Sequence, residues 1–281
     1  MASEYVIKEL YEKTWSILDK GFCNENSAVY MYLLEGSQKA LLIDSGYGGL
    51  DLKRILSGIT DKEIINVSTH GHIAHAMGAF RFEEAYIHSS DIFLYNELRK
   101  PVSFRNLAFG GFVRAADADK LKGSEFSGLD EEMALHPGKD LQPIDNIEGF
   151  ELGNRLITWK RFSGHTMGSI VLCDEKNNTF FNGDAASVFN WLFLPESASL
   201  KVFRDNLTDY IETLNILESP QIYFGHSDMP EGLELFESLL KLTETVLDGT
   251  AVSHPVVLPQ GRASIVSKNG ISIYYDKEKI I

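Results

Sequence analysis

Three of the eight histidines crowd into six consecutive residues, in the run Thr69-His70-Gly71-His72-Ile73-Ala74-His75, directly behind a strand-like stretch from Ile64 to Ser68. Imidazoles gathered this tightly need a rigid mount. A strand end running into a short glycine-containing loop supplies one, because the backbone stays still while the side chains converge, and imidazole nitrogens at about 2.0–2.1 Å are ordinary zinc ligands. Three more ligand-type residues occupy similar places: His165 in Ser-Gly-His-Thr, Asp184 in Asn-Gly-Asp-Ala and His226 in Phe-Gly-His-Ser, each directly after a glycine. Glycine lets backbone and cation approach closely, and its repetition beside strands predicts one shared sheet edge. His88, His136 and His254 lie outside any such constellation and read as structural or solvent-facing.

The pattern along the chain supplies that edge. Apolar runs and turn residues predict strands over Tyr5 to Leu10, Thr14 to Leu18, Ser27 to Leu34 and Lys39 to Ile43, with a turn at Glu35-Gly36-Ser37-Gln38. Leu52, Ile55, Leu56 and Ile59 keep helical spacing. Strands return at Ser169 to Cys173, Thr179 to Phe181 and Gln221 to Phe224, and Asn269-Gly270 marks a hairpin between Ala263 and Tyr275. Helices are predicted over Asp205 to Leu217 and Gly232 to Leu247. From about 89 to 147, helix-like pieces near Ile92 to Leu98 and Leu129 to Leu135 are broken by Gly110-Gly111 and Pro137-Gly138, which reads as a helical cover inserted into the fold. With 281 residues and no repeat or low-complexity linker, residues 1–281 read as a single domain.

Composition narrows the class of partner. A net charge of −14, from 26 Lys and Arg against 40 Asp and Glu, repels a polyphosphate backbone and argues against nucleic acid. Cys23 and Cys173 are too few and too far apart for a disulfide framework or a thiolate zinc knuckle, and read as buried free thiols. The opening MASEYVIKELYEKTW lacks a signal-peptide pattern, and no apolar run approaches the ~20 residues that span a bilayer. The expected setting is cytoplasmic and the expected partner a small-molecule substrate rather than a membrane, with a homodimer left open.

In this order, the residues resemble the metallo-β-lactamase fold superfamily: an Asp after an early strand, H-x-H-x-D-H, a later His, a bridging Asp and a last His. The resemblance runs from about Ser27 to Asp228. It implies an α+β fold, a four-layer αβ/βα sandwich of two mixed β-sheets flanked by helices. It also implies a first cation on His70, His72 and His165, a second on His75, His226 and the motif Asp, and Asp184 between them. Asp44 matches the early Asp, which orients the histidine loop from outside the cation's reach. The implied cofactor is one or two Zn2+, with Fe2+ or Mn2+ as alternatives. Where the family places its motif Asp this chain has Ala74, whose methyl group neither coordinates a cation nor accepts a proton. Either natural divergence or a substitution made to halt turnover puts an alanine there. The catalytic set carried over is therefore Asp184, the altered position Ala74 and Asp44, with the second cation site weakened.

By that resemblance the activity is metal-dependent hydrolysis of an ester, thioester, lactone or amide, in which hydroxide on the metal attacks the carbonyl and the cation stabilises the oxyanion. Ala74 implies an impaired form of that activity. The aromatics Phe189, Trp191 and Phe193 follow Asp184 closely, and with Phe104, Phe109 and Phe112 of the inserted stretch they suggest an apolar substrate wall. Two other readings stay open. His70, His165 and Asp184 could serve as the two-His-one-carboxylate triad of a mononuclear iron dioxygenase. A chain that lost turnover at position 74 could instead be a non-catalytic binding or sensor protein.

Overall fold

Alternation along a single strand sorts the layers. In β4 (Lys39–Ile43), Ala40 and Leu42 face one way and Leu41 and Ile43 the other, and all four are buried. A strand buried on both faces must lie inside a layered structure. The computed structural model describes residues 5–20, 28–99 and 141–281. There β4 sits in the middle of a seven-stranded mixed sheet ordered β1 (Tyr5–Tyr11), β2 (Thr14–Asp19), β3 (Val29–Glu35), β4, β5 (Glu63–Val67), β6 (Glu84–Ile87) and β7 (Gln142–Pro143). Pairings from β1 to β4 are antiparallel and those from β4 to β7 parallel.

A second mixed sheet is ordered β14 (Ser227–Glu231), β13 (Gln221–Phe224), β11 (Thr179–Phe181), β10 (Ile170–Asp174), β9 (Leu156–Arg161) and β8 (Gly149–Glu151). Leu41, Ile43, Ile65 and Val67 of the first sheet pack onto Ile170, Leu172, Phe181 and Tyr223 of the second. The outer face of the first sheet, through Ala40 and Leu42, meets buried residues of α1 (Leu52–Ser57), α2 (Ile73–Ala76) and α3 (Ser89–Leu98). The outer face of the second, through Val171, Phe180, Ile222 and Phe224, meets α4 (Leu200–Asn215) and α5 (Leu233–Leu247). These are the four layers of an αβ/βα sandwich. Among the described residues no helix is long and apolar enough to cross a membrane.

Several boundaries differ from those read in the sequence. Helix α4 begins at Leu200, where the Ser199 hydroxyl caps it by accepting from the Val202 N–H at 3.3 Å. Its first turn carries exposed Lys201 and Val202, so the apolar stripe becomes visible only further on. A third sheet joins the two expected ones, ordered β12 (Phe189–Leu192), β17 (Ile271–Tyr275), β16 (Gly261–Lys268) and β15 (His254–Leu258). Its β12 pairs in parallel with β17 across a wide sequence gap, a partnership that local patterning does not encode. Asn269 and Gly270 make the hairpin turn with φ of 51° and 82°. Within the stretch read as a cover, α3 and β7 belong to the layers themselves. The piece at 129–135, Gly110-Gly111, His136, Phe104, Phe109, Phe112 and Cys23 lie outside the described residues. His88 is buried beside the α3 N-terminus, where Nδ1 accepts from the Ser90 N–H, and His254 is exposed on β15.

One buried ion pair ties the sheets together away from the site. Arg155 donates from Nε and Nη2 to Asp174 Oδ2 at 3.2 and 2.6 Å, from Nη2 to the Thr14 hydroxyl, and from Nη1 to the carbonyls of Lys13 and Glu35. Both charged side chains are almost wholly buried. Arg155→Met leaves Asp174 buried without its countercharge, so urea unfolding is expected to show a loss of about 3 kcal/mol. Adding Asp174→Leu to that variant restores most of the loss.

Candidate metal centre

Parallel pairing of β4 with β5 sets their C-terminal ends side by side, and parallel pairing of β11 with β13 does the same in the second sheet. Strand β10 runs antiparallel to β11, so its beginning reaches that same edge. Asp44 follows β4, His70 lies just past β5, His72 and His75 flank the start of α2, His165 precedes β10, Asp184 follows β11 and His226 follows β13. The six ligand-type side chains therefore meet at one edge.

His72 Nδ1 lies 3.1 Å from His70 Nε2 and 2.9 Å from His165 Nε2. Asp184 Oδ2 lies 3.4 Å from His75 Nε2, 3.3 Å from His226 Nε2 and 3.8 Å from His165 Nε2. These atoms form two overlapping groups that could hold a metal ion, His70-His72-His165 and His70-His75-Asp184. The spacing suits a cation, because tetrahedral nitrogens at about 2.0–2.1 Å stand about 3.3 Å apart.

Each ring's outward nitrogen meets an acceptor. The His75 Nδ1–H donates to Asp44 Oδ2 at 2.7 Å, the His165 Nδ1–H to the Trp191 carbonyl at 3.0 Å, and the His226 Nδ1–H to the Ala28 carbonyl at 2.7 Å. Thr69 donates its hydroxyl to Asp44 Oδ2 at 3.0 Å, which leaves its oxygen to accept from His70 Nδ1–H at 3.2 Å. His72 Nε2–H donates to Glu196 Oε1 at 2.7 Å. With outward protons assigned by their partners, the inward nitrogens carry lone pairs or a displaceable proton. His75 Nε2 is buried without a hydrogen-bond partner of its own.

The two groups differ in charge. Burial and the neighbouring His75, His72 and His165 rings hold His70 well below the ordinary imidazole range, and burial with His72 beside it pulls His165 down to about 4. His70 and His165 thus offer neutral rings whose inward lone pairs a cation between them would take up. In the second group, burial acts to raise the Asp184 carboxyl, but the His226 and His75 rings outweigh it and hold it well below the carboxylate range. His75 is pushed up to about 10, because Asp184 and Asp44 overcome its burial. This half calls for positive charge, which a bound cation supplies as it displaces the proton.

Backbone geometry fixes the arrangement. Asp44 adopts φ of 61°, and its Oδ1 accepts from the Thr69 N–H at 2.7 Å, so the residue steadies the histidine loop and His75 together. A Cβ on Gly225 would collide with His75 and come within 2.6 Å of Asp184 Oδ1, and one on Gly183 would strike Thr69. Ala74 sits in α2 between His72 and His75, partly exposed. Sequence reasoning missed two carboxylates. Asp91 in the first turn of α3 is buried and accepts from the Gly71 N–H, the Thr166 hydroxyl and the Gly168 N–H at 2.8, 2.6 and 2.8 Å, tying the two histidine loops to one residue. In sequence it looks like any acidic residue at a helix start. Glu196 lies in a loop with no periodicity to reveal it.

The family model of the metallo-beta-lactamase superfamily matches residues 25–226, well over half the chain. The chain belongs to that superfamily. Two curated relatives are both named acyl-coenzyme A thioesterase MBLAC2. The Gallus gallus protein is 22% identical over 254 residues, covering 85% of each chain, and the Homo sapiens protein is 25% identical over 272 residues, covering 90% of each. Among solved structures, a metallo-beta-lactamase from Pontibacter korlensis superposes with a TM-score of 0.58 at 13% identity, covering 86% of this chain and 99% of its own. The DIM-1 metallo-beta-lactamase gives 0.58 at 14%, covering 88% and 100%. At these identities the structures speak for the fold alone. The chain is a hydrolase of the metallo-β-lactamase fold.

Beside the centre of this metallo-β-lactamase-fold protein, Trp191 accepts the His165 proton through its carbonyl and packs its ring against Phe193 and Tyr274. Phe193 is buried, Trp191 is half-buried and Phe189 is 60% exposed. Of the three, Phe189 and Trp191 keep exposed surface, and Phe193 is buried against the Trp191 ring.

Proposed function

We propose that this chain is a metal-dependent thioester hydrolase for substrates with an apolar or aromatic acyl group, and that Ala74 holds it at low turnover. The observation that carries the reading is the convergence of five outward-anchored imidazoles and one carboxylate on one sheet edge in two overlapping groups, with a methyl group where the family motif has its acid. Among ester, thioester, lactone and amide, the thioester is favoured because relatives named as acyl-coenzyme A thioesterases match along 85 to 90% of the chain. His70, His72 and His165 would hold one Zn2+, and His75, His226 and Asp184 a second, weaker one. A cation bound there supplies a water of lowered pKa and polarises the acyl carbonyl. Asp44 keeps the His75 ring aimed inward. Phe189 and Trp191 would receive the acyl group, where each buried methylene adds about 0.8 kcal/mol.

Zinc-loaded protein is expected to release thiol from an aromatic or long-chain acyl thioester, to lose that activity to a chelator and to regain it with zinc. An acyl group longer by two methylenes raises kcat/KM about tenfold over its shorter or polar counterpart. Oxygen consumption with Fe2+ and a persulfide, with no thiol release, would replace this reading with an iron dioxygenase. Ligand binding with no turnover, both here and in an Ala74→Asp variant, would make the protein a sensor.

A further inference from the structure

Glu196 belongs to no ligand motif, yet it makes a short contact with a ligand ring, 2.7 Å from Oε1 to His72 Nε2. His72 differs from the other four rings in the direction it points. The others direct Nε2 inward, whereas His72 presents Nδ1 to the nitrogens of His70 and His165. The proton on Nε2 is the form that leaves Nδ1 free, and an acceptor at Nε2 holds both that proton and the direction of the ring. An ionised carboxylate is an acceptor only, and its contact with Nε2 fixes the proton there and frees the Nδ1 lone pair.

The loop that carries Glu196 is itself secured. The Glu196 carbonyl accepts from the Met167 N–H at 3.1 Å and the Ala198 N–H donates to the Gly164 carbonyl at 2.9 Å. Ser197 donates its hydroxyl to the His165 carbonyl at 2.8 Å. On the far side, the Lys279 ammonium donates to the carbonyls of Leu194 and Pro195 at 2.7 and 2.8 Å. One short strap therefore grips the His165 loop by its backbone and the His72 ring by a side chain.

We propose that Glu196 is the positioning residue that sets the tautomer and aim of His72, so that the strap 194–198 assembles the first cation site from two separate loops. The proposal rests on the metal-centre reading above. Zn2+ and Co2+ affinities, measured by competition with a chromophoric chelator on the full chain, test it together with the visible spectrum of the cobalt form. Glu196→Ala is expected to weaken binding 10- to 100-fold and to shift the cobalt bands, with the metal-free melting temperature little changed. Glu196→Gln, whose amide oxygen still accepts the Nε2 proton, recovers most of the affinity and the parent spectrum. Parent-like affinity and spectrum in Glu196→Ala would overturn the role of Glu196. So would equal weakening of both variants with an unchanged spectrum, which marks a general charge effect. If the parent chain itself binds neither ion, the metal-centre reading fails first and takes this one with it.

Discussion

Replacing Ala74 with aspartate is expected to raise thioester hydrolysis by about 10²–10⁴-fold, the usual worth of a positioned proton acceptor, and bound zinc from about one to about two ions per chain. The second group as it stands has one carboxylate, Asp184, whose Oδ2 is shared among His75, His226 and His165 at 3.3 to 3.8 Å. A dication there keeps only part of its charge compensated, and a shared ligand serves each of two cations less well than its own. Position 74 lies one residue before His75 on α2 and is partly exposed, so a carboxylate can enter without burying an unpaired charge. The added acid would offer a second cation an anionic ligand and a water activated there a proton acceptor. Thiol release and metal content, measured on the two proteins side by side, check both halves. If neither rises, position 74 is not what limits this site. If zinc rises without turnover, the second cation is structural and the hydrolytic role of the pair is wrong.

The cluster of histidines and Asp184 was legible because metals demand a narrow set of side chains and strand ends demand glycine. His165, Asp184 and His226 each follow a glycine, and the structure gives steric reasons at Gly183 and Gly225. The four layers were legible through period-two and helical spacing, as in β4 and α5. What stayed hidden depends on contacts across long stretches of chain. Asp91 and Glu196 act on backbone N–H groups and a ring that folding brings to them, 20 to 124 residues away along the chain. Arg155 gives no warning either, since its partner Asp174 and the Lys13 carbonyl lie on strands of different sheets or their turns. The third sheet escaped for the same reason, β12 finding β17 only after α4 and α5 have been placed between them in sequence.

Gly225→Ala, made in the Ala74→Asp background, is expected to return turnover by 10²-fold or more toward that of the present chain, while one ion remains bound. The added methyl would occupy space now filled by the edge of the His75 ring and by Asp184 Oδ1, 2.6 Å from the new carbon. The backbone cannot retreat. The Gly225 N–H donates to the Gly183 carbonyl at 2.9 Å, and its own carbonyl accepts from the Tyr30 N–H at 2.7 Å, so the residue is held from both sheets. The ring cannot yield freely either, because Asp44 grips His75 Nδ1 at 2.7 Å in a site that is almost wholly buried. Displacement must therefore fall on Asp184 and on the aim of His75, the residues that would hold the second cation, and an ångström of misplacement costs about 10² in rate. The atoms nearest the new carbon belong to His75, Asp184 and Gly183 and not to His70, His72 or His165, so the first ion is expected to stay. Crystallography or the cobalt spectrum then reads one altered site beside one preserved. Full turnover with two ions bound would mean that the close packing of Gly225 against His75 and Asp184 has no part in shaping the centre.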